Sequence, residues 1–451
     1  MFLYLTVYVT SNHEELFNNS YNSRQKVLAG ENRRGTIYSA DEKALAQTVS
    51  TPEGSEKREY PFGAVFSHVV GYTQKGRTGI EELENYLLIN TDVSESEKLE
   101  NEIAGLKNPG NDVYTSLDTD LQQAAYDALG AYKGAIVVSE VKTGRILAMV
   151  SKPDFDPNRI GEDWDRINAD TESAALVNRV TQGLYPPGST FKIATALAYM
   201  RQYPDTWQNY TYQCNGFYQS GEERINCFHG SVHGAVDFET AFAKSCNSAF
   251  ADIGMRLDRT QFQQTIDGLL FNRELPIPLP HKNASVLLRG ENGDENIMQT
   301  AIGQGKTQIS PMQLNMITAA IANGGILMRP IVVDRVVSVG GKVLKENGPE
   351  EYRELMSKEE AESLSALMAG VVEEGTGRGL KDMPYTCAGK TGSAEFNEEK
   401  EDSHAWFTGF SPTEDPQIAV TVIVERVGSG GDYAVPLARR VFDAYWSLPP
   451  P

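Results

Sequence analysis

A serine and a lysine stand three residues apart just after an abrupt turn, in YPPGSTFKIATALAYM at residues 185–200. The two prolines favour an extended chain and the glycine permits a tight turn, so the following apolar run predicts a helix that begins near Ser189. Residues three apart share a helix face, which brings the Lys192 amine toward the Ser189 hydroxyl. A lysine with a lowered pKa can take a proton from serine, and N–H groups at a helix start can stabilise an oxyanion. The alternative is a serine that only caps the helix and a lysine that lies in solvent.

Two other short patterns contain residue types that an acylating serine needs around it. Ser245 and Asn247 stand one residue apart in KSCNSAF, a segment that the spacing predicts to be helical. Lys390, Thr391 and Gly392 lie in AGKTGSAEF, which has the pattern of a strand. Each pattern alone has low specificity, whereas the three patterns together and in this order are highly specific.

Two other stretches resemble functional motifs but are not predicted to have the corresponding function. A second Lys-Thr-Gly stands at residues 142–144, where two flanking β-rich runs predict a hairpin turn. The stretch GQGKT at 303–307 resembles a phosphate-binding loop, but Thr300 stands where that motif requires glycine and no strand precedes it. Neither stretch is therefore predicted to bind a phosphate or a substrate.

The stretch CNGFYQSGEERINCFHGSVHG, just ahead of the Ser-x-Asn pattern, combines two thiols and two imidazoles, at Cys214, Cys227, His229 and His233. This set of ligands can form a tetrahedral zinc site. A disulfide between Cys214 and Cys227, closing a small loop in an oxidising exterior, is an alternative, and free thiols are another. The remaining cysteines, Cys246 and Cys387, border the other motifs and are predicted to be small packed residues.

Charge excludes one broad class of function. The chain has 61 acidic and 41 basic residues, a formal net charge of −20. Binding to a phosphate backbone requires a basic face, so nucleic acid is not an expected partner.

The N-terminal stretch MFLYLTVYV, residues 1–9, is apolar but short. Nine helical residues rise about 14 Å, roughly half of a hydrocarbon core. The stretch also lacks the basic start and the small-residue cleavage site of a signal peptide. Two interpretations remain: the end of a membrane anchor, or the first strand or helix of a soluble domain.

The pattern of elements predicts two domains. Residues 1–110 contain short strands and helices, and the breaker cluster KNPGND at 107–112 marks the boundary. In residues 111–451 a helix and a β-hairpin are followed by a helical region, by four strands, of which RPIVVDRVVSV is the first, and by a closing helix. Strands, then helices, then strands indicate an α+β fold whose sheet joins both ends of this part of the chain.

Taken together, the three motifs resemble those of penicillin-binding proteins and serine β-lactamases. Longer stretches, including NRVTQGLYPPGSTFK, AIGQGKTQISPMQLNMITAAIANGG and KTGSAE followed by HAWFTGFSP, resemble class B penicillin-binding proteins over nearly the whole chain. The resemblance implies a transpeptidase domain at 111–451, with a central antiparallel sheet flanked by helices and an all-helical subdomain. Residues 1–110 resemble the small N-terminal pedestal domain of that class.

The resemblance also implies a role for each motif residue. Ser189 is the implied nucleophile, Lys192 the general base and Ser245 the proton relay. Asn247 is implied to hold the substrate amide, and Lys390 and Thr391 to bind the substrate carboxylate. Gly392 is implied to leave space for the substrate strand, and the N–H groups of Ser189 and Ser393 to stabilise the oxyanion.

The implied activity is D,D-transpeptidation of peptidoglycan stem peptides through a serine acyl-enzyme, with β-lactams acylating the same serine. No cofactor is required for acyl transfer, although some class B relatives carry zinc near the active site. A membrane glycosyltransferase is the implied partner, and a catalytic domain outside the cytoplasm on an N-terminal anchor is the implied location. The rival functions are a D,D-carboxypeptidase, a β-lactamase, and a penicillin-binding scaffold or sensor with weak catalysis.

Overall fold

The computed structural model describes residues 24–52, 54–288, 293–395 and 403–448. The predicted anchor stretch, residues 1–9, lies outside these ranges. No helix within them combines the length and the apolar character that crossing a membrane requires.

The strands are named in chain order. They are β1 (Asn32–Arg33), β2 (Ile37–Tyr38), β3 (Ala44–Ser50), β4 (Glu56–Glu59), β5 (Asn108–Pro109), β6 (Asp112–Thr115), β7 (Gly134–Glu140), β8 (Ile146–Lys152), β9 (Thr211–Cys214), β10 (Phe217–Ser220), β11 (Glu223–Asn226), β12 (Gly234–Asp237), β13 (Ile326–Met328), β14 (Val333–Val337), β15 (Val343–Glu346), β16 (Glu351–Glu354), β17 (Ala388–Glu395), β18 (Ser403–Ser411) and β19 (Ile418–Val424).

The α-helices are named in the same way. They are α1 (Arg24–Glu31), α2 (Ser67–Val70), α3 (Gly79–Leu83), α4 (Asn85–Ile89), α5 (Glu95–Ile103), α6 (Thr119–Leu129), α7 (Ile160–Ala169), α8 (Lys192–Gln202), α9 (Phe238–Ala243), α10 (Asn247–Arg256), α11 (Arg259–Gly268), α12 (Asp294–Ala301), α13 (Pro311–Ala322), α14 (Lys358–Glu373) and α15 (Val435–Ser447).

The chain forms two compact units. The first comprises the described part of residues 1–119 together with 154–176 and 331–348, and the second comprises the rest. The sequence placed both later segments in the domain at 111–451. Segment 331–348 belongs to the first unit because its strand β14 pairs with β6. Strand pairing over such a separation leaves no trace in local periodicity.

A six-stranded sheet organises the first unit, in the order β15-β14-β6-β2-β3-β4. Strands β2 and β6 are parallel, with Ile37 opposite Val113, and both side chains are fully buried. Beside the sheet, the buried carboxylate of Glu81 accepts hydrogen bonds from Arg34 Nε at 2.6 Å and from Arg58 Nε at 2.8 Å. One buried carboxylate therefore neutralises part of the charge of two arginines.

A five-stranded antiparallel sheet is the centre of the second unit, in the order β17-β18-β19-β7-β8. The last three strands of the chain thus join the early hairpin β7–β8, whose turn lies at residues 142–144, and both features confirm the α+β prediction. Every residue of β18 and β19 is buried, as expected for strands covered on both faces.

Helices cover both faces of this sheet. Side chains of neighbouring strand residues point to opposite faces. On one face Phe407 belongs to the same buried cluster as Phe442 of α15. On the other face Thr408 shares a hydrogen bond of 2.6 Å with Thr318 of α13. The sheet order leaves one side of β17 without a neighbouring strand, and the motif Lys390-Thr391-Gly392 lies on this strand.

The part of the chain that follows β8 and precedes β17 contains the helical region that the sequence predicted. Its helices α8, α10, α11 and α12 pack against one another. Helix α8 is buried from Lys192 to Met200. Its lysine is one of the largest fully buried side chains of the described chain, so it is placed in the interior rather than in solvent.

Candidate active site

The turn that carries Ser189 is tighter than the sequence predicted. Residues Gly188–Phe191 form a 3-10 turn, and the α-helix begins only at Lys192. Gly188 has a φ of +54°, and a Cβ there would lie 2.7 Å from the carbonyl oxygen of Ser393. Only glycine tolerates both conditions without strain. The glycine thus lets the serine turn lie directly against strand β17.

The Lys192 amine points at the Ser-x-Asn segment. Its Nζ donates to the backbone oxygen of Ser245 at 2.7 Å, to Ser245 Oγ at 3.2 Å and to Asn247 Oδ1 at 2.7 Å. Among the hydrogen bonds of the described residues, none joins Lys192 to Ser189. The expected contact between these two side chains is therefore replaced, in this structure, by contacts to the second motif.

Ser245 does not lie in a helix, although the spacing around it predicted one. It falls between α9 and α10 with a φ of +57°. This conformation costs a non-glycine residue energy, and here it directs Oγ toward two lysines. Lys390 Nζ donates to Ser245 Oγ at 2.9 Å, opposite the bond from Lys192. One hydroxyl thus connects the lysines of the first and third motifs.

Asn247 begins helix α10, and its side chain is held at both ends. Its Oδ1 accepts from Lys192, and its Nδ2 donates to the backbone oxygen of Asn226 at 3.1 Å. Asn226 is the last residue of β11, in the hairpin formed by β10 and β11. The orientation of this amide is therefore coupled to that hairpin.

Burial controls the charge of both lysines. Desolvation lowers the pKa of Lys192 from its usual value to about 7. Desolvation, together with the nearby charge of Lys192, lowers the pKa of Lys390 well below its usual value. Near neutral pH a substantial fraction of Lys192 is therefore an uncharged amine that can accept a proton.

The three motifs border one cavity of about 360 Å³. Ser189, Ser245, Asn247, Thr391, Gly392 and Ser393 all line it. Gly392 has no room for a side chain, because a Cβ there would lie 2.9 Å from the carbonyl oxygen of Pro187. The opening beside β17 can thus accept an extended peptide along the strand.

The sequence reasoning did not single out two residues of this cavity. Thr376 shares a hydrogen bond with Thr391 through their hydroxyl groups, which adds a second hydroxyl at that end of the cleft. Gln304 lines the opposite end and came only from the stretch that was rejected as a phosphate loop. Neither residue belongs to a motif with a chemical signature of its own, so spacing alone could not find them.

Next to the cleft lies a cluster of cysteines and one histidine. The ligand atoms of Cys214, Cys227, His233 and Cys246 all lie within 4.8 Å of one another. The cluster includes Cys246, which the sequence predicted to be a packed residue. It does not include the fourth predicted ligand, His229, which is exposed and packs its ring on Phe228 at 4.0 Å.

The cluster has the dimensions of a tetrahedral metal site. The sulfurs of Cys214 and Cys227 are 3.7 Å apart, and those of Cys227 and Cys246 are 3.9 Å apart. Zinc–sulfur bonds of about 2.3 Å place two tetrahedral sulfurs about 3.8 Å apart. All four cysteines of the chain are free thiols, so the alternative disulfide is not formed.

Two of the three thiols of the cluster have lowered pKa values, whereas the hydrogen bond with Cys227, together with burial, raises the pKa of Cys246 above its usual value. A hydrogen bond with Cys246 lowers the pKa of Cys227 to about 3, and hydrogen bonds with Ser248 and His233 lower the pKa of Cys214 despite its burial. Because thiolates are the ligands of zinc, these residues fit a Cys₃His zinc site.

Comparisons with known proteins identify the family of this chain. Residues 134–443 match the family model "Penicillin binding protein transpeptidase domain", and residues 34–113 match "Penicillin binding protein A dimerisation domain". The chain is 31% identical to the peptidoglycan D,D-transpeptidase PbpA of Mycolicibacterium smegmatis, covering 93% of this chain and 91% of that protein. It is 30% identical to the peptidoglycan D,D-transpeptidase MrdA of Acinetobacter baumannii, covering 87% of this chain and 66% of that protein.

Solved structures are similar over nearly the same span. The penicillin G acyl-enzyme complex of penicillin-binding protein A from M. tuberculosis has a TM-score of 0.83 at 28% identity, covering 92% of this chain and 100% of that one. The D,D-transpeptidase domain of a peptidoglycan glycosyltransferase from Eggerthella lenta has a TM-score of 0.81 at 30% identity, covering 92% and 98%.

Proposed function

The chain belongs to the penicillin-binding proteins that carry a transpeptidase domain, and on that premise we propose how its cleft works. It is a serine-type peptidoglycan D,D-transpeptidase that acts through an acyl-enzyme and is inhibited by covalent binding of β-lactams. One observation carries the assignment of residues. The Ser245 hydroxyl bridges two buried lysines with lowered pKa values, at the wall of the cavity that Ser189 lines.

In the first step Ser189 attacks the carbonyl carbon between the two terminal D-alanines of a stem peptide. Lys192 takes the hydroxyl proton. As a neutral amine it keeps two N–H donors for Asn247 Oδ1 and for the backbone oxygen of Ser245, so that its lone pair is free to act as a base. The oxyanion that forms is stabilised by the backbone N–H groups of Ser189 and Ser393.

The terminal carboxylate of the substrate lies against the third motif. The Lys390 ammonium and the Thr391 hydroxyl bind it, and this countercharge restores the protonated state of Lys390. The tetrahedral intermediate then collapses, the carbon–nitrogen bond breaks, and Ser245 relays to the departing amine of D-alanine the proton that Lys192 took from Ser189, so that Lys192 is neutral again. An ester on Ser189 remains.

An amine from a second stem peptide completes the reaction. The amine attacks the ester carbonyl, Lys192 accepts a proton from it, and Ser189 leaves with that proton as the free hydroxyl. The product is a cross-link between two peptides. A β-lactam follows only the first step, because its leaving amine stays attached to the acyl group.

We assign the cysteine cluster to a zinc ion held by Cys214, Cys227, His233 and Cys246. Bound zinc supplies a structural constraint rather than a chemical step. Its four ligands come from the last residue of β9, the residue after β11, the residue before β12 and the residue between Ser245 and Asn247. Such a site links the β10–β11 hairpin to the catalytic segment, and the geometry of the four side chains supports it.

Two further parts of the proposal follow from the family. The substrate is a polymer outside the cytoplasm, so the catalytic unit acts there, anchored to the cell membrane through the N-terminal region. The glycan strands that carry the stem peptides are supplied by a membrane glycosyltransferase, which we propose as the partner.

A labelling experiment tests the assignment of the nucleophile. Fluorescent penicillin is expected to form a stable adduct with the protein, and Ser189→Ala is expected to abolish it. Ser173→Ala, at a half-buried serine of the first unit that does not line the cleft, serves as the matched control. Lipid-linked glycan strands with a glycosyltransferase are then expected to yield cross-linked peptides. Products that are only trimmed indicate a carboxypeptidase, rapid release of hydrolysed penicillin indicates a β-lactamase, and a labelled but inert protein indicates a scaffold.

A further inference from the structure

Gln304 closes one end of the free edge of β17. When the Gln304 amide is oriented to pair with the backbone of Glu395, its oxygen accepts from Glu395 N and its nitrogen donates to Glu395 O, each at 3.3 Å. This is the pairing that a peptide bond of an added strand would make. Since backbone groups of alternate strand residues point to the same edge, those of Thr391 and Ser393 face the same way as Glu395. A substrate strand can therefore pair along Thr391 and Ser393 and must leave the edge before Glu395.

The charges of the cleft fix the direction of that strand. The substrate's terminal carboxylate lies at Lys390 and Thr391, so the peptide runs from there past Ser393 toward Glu395, antiparallel to β17. The stem-peptide residue that precedes the two D-alanines thus reaches the point where Gln304 blocks further pairing. Its side chain must enter whatever space opens there.

A second cavity, also of about 360 Å³, opens at this point. It shares the lining residues Asn247, Gln304 and Ser393 with the catalytic cavity, so the two cavities adjoin. Its two charged lining side chains of opposite sign are Arg224 and Glu395. Among the described residues neither has an ion pair with another side chain.

Arg224 is held in place while its terminal nitrogens remain available. Its guanidinium lies 3.8 Å from the ring centroid of Phe217, and its Nε donates to Asn226 Oδ1 at 2.8 Å. The terminal N–H groups have no hydrogen bond within the described chain, and they form the fork that binds a carboxylate. Asn226 is also the residue whose carbonyl holds Asn247, so this arginine is positioned relative to the catalytic amide.

We propose that this second cavity is a specificity subsite for the stem-peptide residue that precedes the two D-alanines, and that it selects a side chain ending in both an amine and a carboxylate. Arg224 binds the carboxylate and Glu395 binds the amine. A side chain ending in an amine alone satisfies Glu395 but leaves a like charge at Arg224, and an apolar side chain satisfies neither. The inference rests on the proposed transpeptidase function, since the direction of the donor strand comes from that chemistry.

The test uses synthetic donor peptides that differ only in this residue: diaminopimelate, lysine or norleucine. The second-order rate of acyl-enzyme formation is measured for each donor and divided by the rate for benzylpenicillin, which lacks the residue. The wild-type protein is expected to prefer the diaminopimelate donor over the norleucine donor by about tenfold or more. Arg224→Gln is expected to remove most of the preference for diaminopimelate over lysine, and Arg224→Lys to retain part of it. Glu395→Gln is expected to lower the rates of both amine-bearing donors relative to norleucine.

Arg273→Gln, at an exposed arginine that does not line the cavity, is the matched control and should keep the wild-type ratios. Equal wild-type rates for the three donors overturn the inference alone. The same holds if Arg224→Gln changes all donors by one common factor, because that result indicates a structural role. A protein that reacts with benzylpenicillin but with no donor contradicts the proposed transpeptidase function, and the inference falls with it.

Discussion

The side-chain oxygen of Asn247 lies 2.7 Å from Nζ of Lys192 and accepts a hydrogen bond from it. The other end of the same amide donates to the backbone of Asn226 at 3.1 Å. The amide therefore cannot turn over without breaking both bonds. Through this residue the general base is coupled to the β10–β11 hairpin, and through Cys246, its neighbour in sequence, to the cysteine cluster.

The rate of acylation should follow the protonation of Lys192. Burial lowers the pKa of Lys192 to about 7, and only the neutral amine can accept the serine proton. The second-order rate with benzylpenicillin is therefore expected to rise with pH through about 7 and to level off above it. Stopped-flow measurements between pH 5.5 and 9.5 check this. A rate that still climbs tenfold per pH unit at the upper end contradicts a base with a lowered pKa.

Replacing Asn247 with aspartate should move that profile. A carboxylate at hydrogen-bond distance favours the charged form of Lys192 and raises the pKa of its amine. Asn247→Asp is expected to shift the rising limb to higher pH and to lower the acylation rate at pH 7 by about tenfold or more. Asn247→Ser, which adds no charge, is the control. The prediction fails if both variants show the same midpoint.

Substitutions of Ser245 should affect the catalytic rate and the stability of the protein differently, because the φ of this residue is +57°. Both Ser245→Gly and Ser245→Ala remove the relay hydroxyl, and each is expected to lower the rate of transpeptidation by roughly 10²–10⁴-fold. Glycine relieves the backbone strain whereas alanine keeps it, so the glycine variant should be the more stable by about 1 kcal/mol. Kinetics and chemical unfolding of the two variants test this pair of effects. Full activity in the glycine variant would show that the hydroxyl is not needed.

Zinc binding should require His233 and should not require His229. His233 lies 3.4 Å from the sulfur of Cys214, whereas His229 stands outside the cluster. Protein purified without a histidine tag is expected to contain one equivalent of zinc by mass spectrometry. His233→Ala and Cys246→Ser should lose the metal and melt at lower temperature, since binding energy contributes to folding. His229→Ala should keep both, and loss of zinc in that variant would contradict the assignment.

Glu81 should be essential for the stability of the first unit. Burial opposes ionisation of its carboxyl, but the charges of Arg34 and Arg58 outweigh that effect and lower the pKa of Glu81. Stability from a depressed carboxyl pKa is present above the unfolded value and is lost as pH falls through the folded one. Glu81→Gln leaves buried charges unpaired and is expected to cost about 3–5 kcal/mol of unfolding free energy.

The neighbouring Glu82 supplies the control for this experiment. It pairs with Arg77, and its side chain is 40% exposed. Glu82→Gln is therefore expected to cost less than about 1 kcal/mol. Denaturant unfolding of both variants makes the comparison, and equal losses would show that the buried triad has no special role.

Local patterns were sufficient for a large part of this structure. Strands β18 and β19 lie in stretches whose local pattern predicted strands near the end of the chain. The hairpin turn at 142–144 was predicted from the flanking β-rich runs. By contrast, the helical spacing around Ser245 was misleading, because residues 244–246 separate two helices and Ser245 among them has a positive φ.

The sequence by itself determined the residues of the three motifs, their order and the fold that carries them, since these follow from residue type and local spacing. Tertiary structure alone decided that strand β14 joins the first unit, that Cys246 rather than His229 completes the cysteine cluster, and that Gln304 caps the edge of β17. Each of these depends on where a side chain or strand points after distant segments pack together. Local periodicity contains no information on that direction.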